Sequence, residues 1–117
     1  MTKAFAYLRV SGKSQVAGDG FTRQLTAIRK YAEANGVKIV RVFREEGVSG
    51  TKELENRPAL LDLMTALHSN GTKLVMVEKL DRLARDLMIQ ETIIGDLRKS
   101  GFELISVAEP DLLQDDP

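Results

Sequence analysis

Residues 73–86, KLVMVEKLDRLARD, join a short run of apolar and β-branched residues to a densely charged segment. The run at 73–80 predicts a buried strand of ordinary length. Apolar residues then recur at helical spacing, which predicts a helix from about Arg82 to Ser100. A strand that leads directly into a helix is the repeating unit of a parallel sheet, so this stretch favours an α/β fold.

The same alternation runs through the rest of the chain. Three other segments rich in branched or aromatic residues predict strands at 4–10, 37–43 and 102–107. Helical patterns lie between them, from Phe21 to about Asn35 and from a capping Asn56 to just before Gly71. The order βαβαβαβ predicts an α/β fold with a doubly wound, mainly parallel sheet flanked by helices. Such sheets bind ligands beyond the carboxyl ends of their strands.

Composition excludes several classes of protein. The chain has 117 residues, 43% of them apolar, which is enough for one domain with one core. It contains no cysteine, so neither a disulfide framework nor a thiolate zinc site can form. Because no apolar run approaches a membrane span and the first residues lack a secretory pattern, we expect a cytoplasmic protein with no membrane partner. The 17 basic residues balance the 17 acidic ones, so net charge does not indicate nucleic-acid binding.

Unusual polar residues follow the first predicted strand, in YLRVSGKSQ at 7–15. Arg9 lies within the strand, Ser11 falls where it ends, and Gln15 follows four residues later. A serine hydroxyl is a weak nucleophile until a base or strong electrostatics assists it. Taken alone, Ser11 is therefore better interpreted as a turn or capping residue.

A second group follows the third predicted strand. Arg82 and Arg85 are three residues apart, so on a helix they share one face, where two planar guanidinium groups can bind phosphate oxygens. Taken alone, the segment has an ordinary interpretation. In it, Asp81 caps the helix and Asp86 pairs with Arg82 at i and i+4.

The combination of these segments favours chemistry. Arg57, which precedes Pro58, would alone be a solvated loop residue, but the topology brings it to the same edge of the sheet. Phosphoryl transfer needs little beyond neutralised non-bridging oxygens, so an arginine cluster and a hydroxyl suffice without a metal. The predicted set is Ser11, Arg9, Arg57, Arg82 and Arg85.

Other chemistries lack the necessary residues. His68, the only histidine, lies late in the second predicted helix near its apolar face, so we expect it to be partly packed and not part of a Ser-His-Asp triad. The sequence has no nucleophile elbow and no glycine-rich nucleotide-binding motif. It also has no carboxylates at metal-ligand spacing, since Glu45 and Glu46 alternate faces of a strand. We therefore expect no cofactor and no metal.

Taken in order, the motifs YLRVSGKSQ, EGVSGTKELENRPAL and EKLDRLARD resemble the serine recombinases, the group of resolvases, invertases, large integrases and transposon recombinases. The resemblance covers essentially the whole chain. It implies that Ser11 is the nucleophile and that Asp81 assists with the proton of the leaving 3′ hydroxyl. It also implies residues that contact the scissile phosphate, namely Arg9, Arg57, Arg82 and Arg85, with Gln24, Gln15 and Ser49 in the vicinity.

The implied reaction is site-specific recombination of double-stranded DNA. Ser11 cleaves a strand to give a 5′-phosphoserine linkage, half-sites are exchanged within a synaptic tetramer, and the reverse attack rejoins them. Two departures from the small resolvases stand out: the longer step from Ser11 to Gln24, and Ala84 where glycine or serine is frequent. Family members continue into a dimerisation helix and a DNA-binding region, so we expect residues 1–117 to be the catalytic domain alone, with most of the DNA affinity elsewhere.

Two other functions stay open. A domain of the same fold can serve as a noncatalytic module that binds phosphate or an anionic partner. A phosphate-ester hydrolase that uses Ser11 would release free product from small phosphate esters, which a recombinase should ignore. A trapped covalent adduct between Ser11 and DNA distinguishes the recombinase from the module.

Overall fold

The computed structural model describes residues 2–10, 20–46, 57–84 and 86–109. In chain order the elements are β1 (Thr2–Val10), α1 (Gly20–Ala34), β2 (Val37–Glu46), α2 (Pro58–Asn70), β3 (Leu74–Val77), α3 (Leu80–Leu83), α4 (Leu87–Lys99) and β4 (Glu103–Ser106). The four strands form one sheet in the order β2-β1-β3-β4, and every neighbouring pair is parallel. The predicted α/β, doubly wound fold is therefore confirmed. None of the described helices is both long and apolar enough to cross a membrane.

β1 is central in the sheet, and its side chains alternate between two cores. One face carries Ala4, Ala6 and Leu8 beneath α1, which contributes Ile28 and Ala32. The opposite face packs against α2 and α4, in a cluster that includes Phe5, Tyr7, Leu63, Leu67, Ile93 and Leu97. Since both faces of β1 are covered, its buried run continues without a break from residue 4 to residue 10.

The ends of α1 and α2 lie close to the predicted positions. α1 stops before Gly36, and α2 stops before Gly71, which adopts the left-handed conformation with φ of 82°. Pro58 occupies the first turn of α2, as predicted. The predicted cap, Asn56, lies outside the described residues. Arg57 holds the N-cap position, and its side chain makes no capping hydrogen bond.

The prediction of one helix from Arg82 to Ser100 is wrong. The chain instead forms the single turn α3, becomes extended at Ala84 with φ of −165° and ψ of 147°, and restarts as α4. Gln90 supports the break, because its Nε2 donates to the Ala84 carbonyl at 2.6 Å. The apolar spacing continues across the interruption, which is why periodicity alone did not reveal it.

The ordinary interpretation of the aspartates is also wrong. Asp86 does not pair with Arg82, because its carboxylate caps α4 by accepting from the backbone N–H groups of Met88 at 2.8 Å and Ile89 at 3.2 Å. Asp81 lies inside the first turn of α3, and Lys79 occupies the N-cap position. The strand before it is shorter than predicted, ending at Val77.

Candidate active site at the carboxyl edge of the sheet

Arg9 anchors the candidate site from the end of β1. Its side chain is almost fully buried, with the residue 1% exposed. The guanidinium donates from Nε to the Arg82 carbonyl at 2.8 Å and from Nη2 to the Asp81 carbonyl. Because α3 is one turn long, these carbonyls lack the partners that a longer helix would provide. Arg9 therefore ties α3 to the central strand.

Gln24 fixes the main chain at the same point. It is fully buried on α1, and its side-chain amide pairs with the backbone of Arg9 in both directions. The Arg9 N–H donates to Oε1 at 3.3 Å, and Nε2 donates to the Arg9 carbonyl at 3.1 Å. Gln24 was predicted near a phosphate. Its described contacts hold the end of β1, two residues before Ser11.

Arg57 brings a second buried guanidinium to α3. The residue is 0% exposed, and its Nη1 donates to the Leu83 carbonyl. Arg9 and Arg57 thus approach consecutive carbonyls of the same turn from two different elements. The arrangement concentrates positive charge beside α3 and determines where Asp81 and Arg82 lie.

Glu45 is a site residue that the sequence analysis missed. It lies near the end of β2 and is 2% exposed. Its Oε1 accepts from the Ala59 N–H at 3.0 Å, and its Oε2 accepts from the Leu60 N–H at 3.0 Å and from the Tyr7 hydroxyl at 3.1 Å. Burial and the adjacent carboxylate raise the pKa of Tyr7 above its ordinary value, and burial is the larger cause.

The sequence offered Asn56 as the cap and so gave no signal for such a carboxylate. With Arg57 at the N-cap, α2 has no short polar capping side chain there, and its first N–H groups need an acceptor from elsewhere. Glu45 supplies that acceptor and fixes the start of α2, and with it Arg57. Glu109 acts in the same way on α3, since its Oε1 accepts from the Leu80 N–H at 3.0 Å and from the Ser106 hydroxyl at 3.1 Å.

Arg82 is the described arginine of the predicted set that reaches the surface. Its side chain is 17% exposed, and its Nε lies 3.4 Å from Glu78 Oε1 and 3.9 Å from Asp81 Oδ1. Glu78 is itself buried and also binds Arg23 of α1 through Oε2. The Asp81 side chain is about half exposed, at 53%.

The structure therefore brings five of the predicted residues to one edge of the sheet: Arg9, Gln24, Arg57, Asp81 and Arg82. Four others lie outside the described residues: Ser11, Gln15, Ser49 and Arg85. His68 was predicted to be partly packed, but the residue is exposed, and its ring makes an edge contact with Phe102 at 5.2 Å between centroids. In the portion of the chain that is described, no cluster of three histidine, aspartate or glutamate side chains could hold a metal ion.

Comparison with known sequences gives a consistent set of similarities. A family model described as "Resolvase, N terminal domain" matches residues 4–117. A putative DNA recombinase from Bacillus subtilis is 38% identical over 102 residues, which cover 86% of this chain and 19% of that protein. An integrase-like protein from Sinorhizobium fredii is 35% identical over 69 residues, 59% of this chain and 36% of that protein. The matched regions are thus a fifth to about a third of these relatives.

Solved structures show the same similarity in three dimensions. The N-terminal catalytic domain of TP901-1 integrase superposes with a TM-score of 0.82 at 32% identity, covering 93% of this chain and 80% of that chain. A resolvase-family site-specific recombinase from Streptococcus pneumoniae gives a TM-score of 0.77 at 25% identity, covering 94% of this chain and 74% of that chain.

Proposed function

Because the family model of the resolvase N-terminal domain matches residues 4–117, the chain belongs to the resolvase family, and on that premise we propose that it cuts and rejoins DNA strands with Ser11 as the nucleophile. One observation carries the proposal. Arg9 and Arg57 converge on the turn α3 beside Asp81 and Arg82, at the edge where β1 ends at Val10, the residue before Ser11. An arginine cluster beside a strand-end serine is the minimal equipment for metal-free phosphoryl transfer.

The first step is a transesterification. Ser11 Oγ attacks the scissile phosphorus and releases its proton to water as the new P–O bond forms. The bond from phosphorus to the 3′ oxygen breaks, that oxygen takes up a proton with the assistance of Asp81, and the DNA remains attached to Ser11 through its 5′ phosphate. The reverse attack by a 3′ hydroxyl regenerates the serine, so no nucleotide is consumed.

The arginines have two kinds of role in this proposal. Arg82, which is partly exposed, and Arg85 bind the non-bridging oxygens of the phosphate. Arg9 and Arg57 act from buried positions, where their charge is poorly screened and stabilises the negative charge that develops in the transition state. Gln24 fixes the end of β1. In this proposal Gln15 and Ser49 lie near the phosphate.

The proposed partners follow from the reaction. Double-stranded DNA with a specific site is the substrate, and exchange of strands between two sites requires a dimer on each site and a synaptic tetramer of the full-length protein. No cofactor or metal takes part. Three carboxylates at this edge, those of Glu45, Glu78 and Glu109, bind backbone N–H groups or an arginine.

The experiment that tests the function is a search for a covalent complex. The full-length protein is incubated in chelator with supercoiled DNA from its own genetic element, and protein–DNA adducts are separated under denaturing conditions. We expect an adduct that disappears in Ser11→Ala and persists in Ser14→Ala, a serine in the same segment. A protein that binds its DNA but forms no adduct would instead be a noncatalytic module. Turnover of small phosphate esters would indicate a hydrolase.

A further inference from the structure

Glu78 joins two arginines that come from different elements. It follows β3 and is 5% exposed, and each of its carboxylate oxygens contacts one guanidinium. Oε1 lies 3.4 Å from Arg82 Nε, and Oε2 accepts from Arg23 Nη1. We refer to Arg23, Glu78 and Arg82 as the Glu78 cluster. It links α1 to α3 across the carboxyl end of β3.

The orientation of the two guanidinium groups is informative. The polar contacts of the Arg82 side chain within the described residues all involve Nε, to Glu78 and Asp81. The contact of Arg23 in the same part of the chain is made by Nη1 alone. A guanidinium has five N–H donors, and the contacts with other described residues use one nitrogen of each arginine, so further donors of each can be directed at an anion.

Exposure indicates where such an anion would bind. The side chain of Arg23 is 48% exposed and that of Arg82 is 17% exposed, whereas the Glu78 side chain between them is 7% exposed. The carboxylate is therefore buried, and both cations reach the surface at the edge that carries the candidate site. Arg23, Arg82 and Glu78 carry a formal charge of +1, and Asp81, 3.9 Å from Arg82 Nε, brings the local sum to zero. A phosphodiester group would therefore be bound by the N–H donors of the two guanidinium groups and not by a local excess of positive charge.

We propose that Arg23 is a second phosphate-contact residue, which binds the backbone phosphate next to the one that Arg82 contacts, and that Glu78 positions both arginines. This inference rests on the proposed function, because it takes a DNA strand as the ligand of the edge. Glu78 does not touch the DNA. Its buried carboxylate holds the guanidinium of Arg82 in place and fixes the position of Arg23 relative to Arg82.

The first test compares Arg23→Ala with Arg29→Ala in the full-length protein. Both arginines are exposed on α1, but Arg29 is outside the Glu78 cluster. Each phosphate contact contributes about 0.9 to the slope of log K against log salt. We expect the slope for duplex DNA to become shallower by about 0.9 in Arg23→Ala and to stay unchanged in Arg29→Ala. Equal slopes in the two variants would overturn the role of Arg23.

The second test separates positioning from fold stability. Glu78→Gln keeps the shape of the side chain but removes a negative charge from the DNA-facing edge, so DNA affinity should be equal or greater. Because Arg82 is no longer held by an ion pair, the rate of adduct formation on saturated DNA should fall at least tenfold. A Glu78→Gln protein that is folded and cleaves at the wild-type rate would overturn the positioning role.

A double-mutant cycle tests whether Glu78 acts through Arg82. If Glu78 acts through Arg82, the rate lost in Glu78→Gln together with Arg82→Ala should match that of Arg82→Ala alone, instead of the product of the two losses. Multiplicative losses would contradict the inference. Failure of the proposed function is distinguishable, since in that case the wild-type protein itself forms no Ser11 adduct.

Discussion

At the scale of single residues, Tyr7 links the core to the candidate site. Its hydroxyl is buried and donates to Glu45, which in turn holds the start of α2. Replacing Tyr7 by phenylalanine removes this donor and leaves the carboxylate with one partner fewer. We expect Tyr7→Phe to lower the free energy of unfolding at neutral pH by about 1.5–3 kcal/mol, as for hydrogen bonds to charged groups. Urea denaturation measures it, with Tyr31→Phe as the control, since Tyr31 is only partly buried.

The raised pKa of Tyr7 gives a second prediction at this scale. In the unfolded chain the phenol loses its proton near pH 10, whereas in the folded protein burial and Glu45 hold the proton to higher pH. The unfolded state therefore binds fewer protons above pH 10, and stability falls there by up to about 1.4 kcal/mol per pH unit from this group. Below pH 10 the contribution is fully present.

The corresponding measurement is urea denaturation at pH 9 and pH 11. The loss of unfolding free energy between these values should be smaller in Tyr7→Phe than in wild type. If Tyr7→Phe lost as much stability as wild type, Tyr7 would not hold its proton in the folded state.

The sequence predicted which residues meet at the carboxyl edge of the sheet better than it predicted their contacts. Arg9 and Arg57 could be assigned to one edge because parallel strands end together. That both donate to carbonyls of α3 could not be predicted, since the contacts cross more than 20 positions in the chain and depend on where α3 begins. The contacts of Glu45 could not be predicted for the same reason, because its partners Tyr7 and Ala59 are distant in sequence.

At the scale of elements, the start of α2 depends on a carboxylate from another strand. Glu45→Ala leaves the Ala59 and Leu60 N–H groups without their acceptor in a buried region. Loss of a cap and of buried partners should together cost about 3 kcal/mol of unfolding free energy. Glu46→Ala is the matched control, because Glu46 is the next residue on β2 and is exposed. Similar losses in the two variants, measured by urea denaturation, would refute the remote cap.

The boundary between α3 and α4 gives another prediction. Asp86 accepts from two backbone N–H groups at the start of α4, so Asp86→Ala should lower the free energy of unfolding by about 1 kcal/mol. Asp86→Asn should keep most of the stability that the cap provides, because asparagine is also a good N-cap residue. Asp62→Ala, an exposed aspartate within α2, should be nearly neutral. Thermal unfolding compares them. An Asp86→Ala protein as stable as Asp62→Ala would mean that the break does not depend on this cap.

At the scale of the whole molecule, the order of elements was the part most accessible from sequence. Alternating apolar segments fixed the α/β class, since strands joined through helices must be parallel and must be covered on both faces. The exception was the helix predicted from Arg82 to Ser100. There a capping aspartate and an extended Ala84 interrupt a leucine pattern that continues on both sides. The interruption between α3 and α4 depends on local hydrogen bonds, and the spacing of apolar residues does not reveal it.

The charge distribution of the whole molecule leads to the last prediction. The formal net charge is zero, and two of the described arginines at the edge, Arg23 and Arg82, have the Glu78 carboxylate close by. Counterion release is therefore limited to the few guanidinium groups that can reach phosphates. Residues 1–117 alone should bind duplex DNA no more tightly than ordinary nonspecific binding, with Kd of about 1 μM or weaker at physiological salt.

Fluorescence anisotropy with a labelled duplex measures this affinity and its salt dependence. Glu103→Lys and Glu33→Lys add positive charge at exposed positions outside the candidate site. They should increase the affinity for DNA much less than an added positive charge at the edge of the sheet that carries the site. Nanomolar affinity of residues 1–117 would show that the edge binds DNA strongly despite its carboxylates. In that case Glu78 and Asp81 could not be neutralising Arg23 and Arg82 in the complex, and DNA would have to displace these carboxylates from at least part of their present contacts.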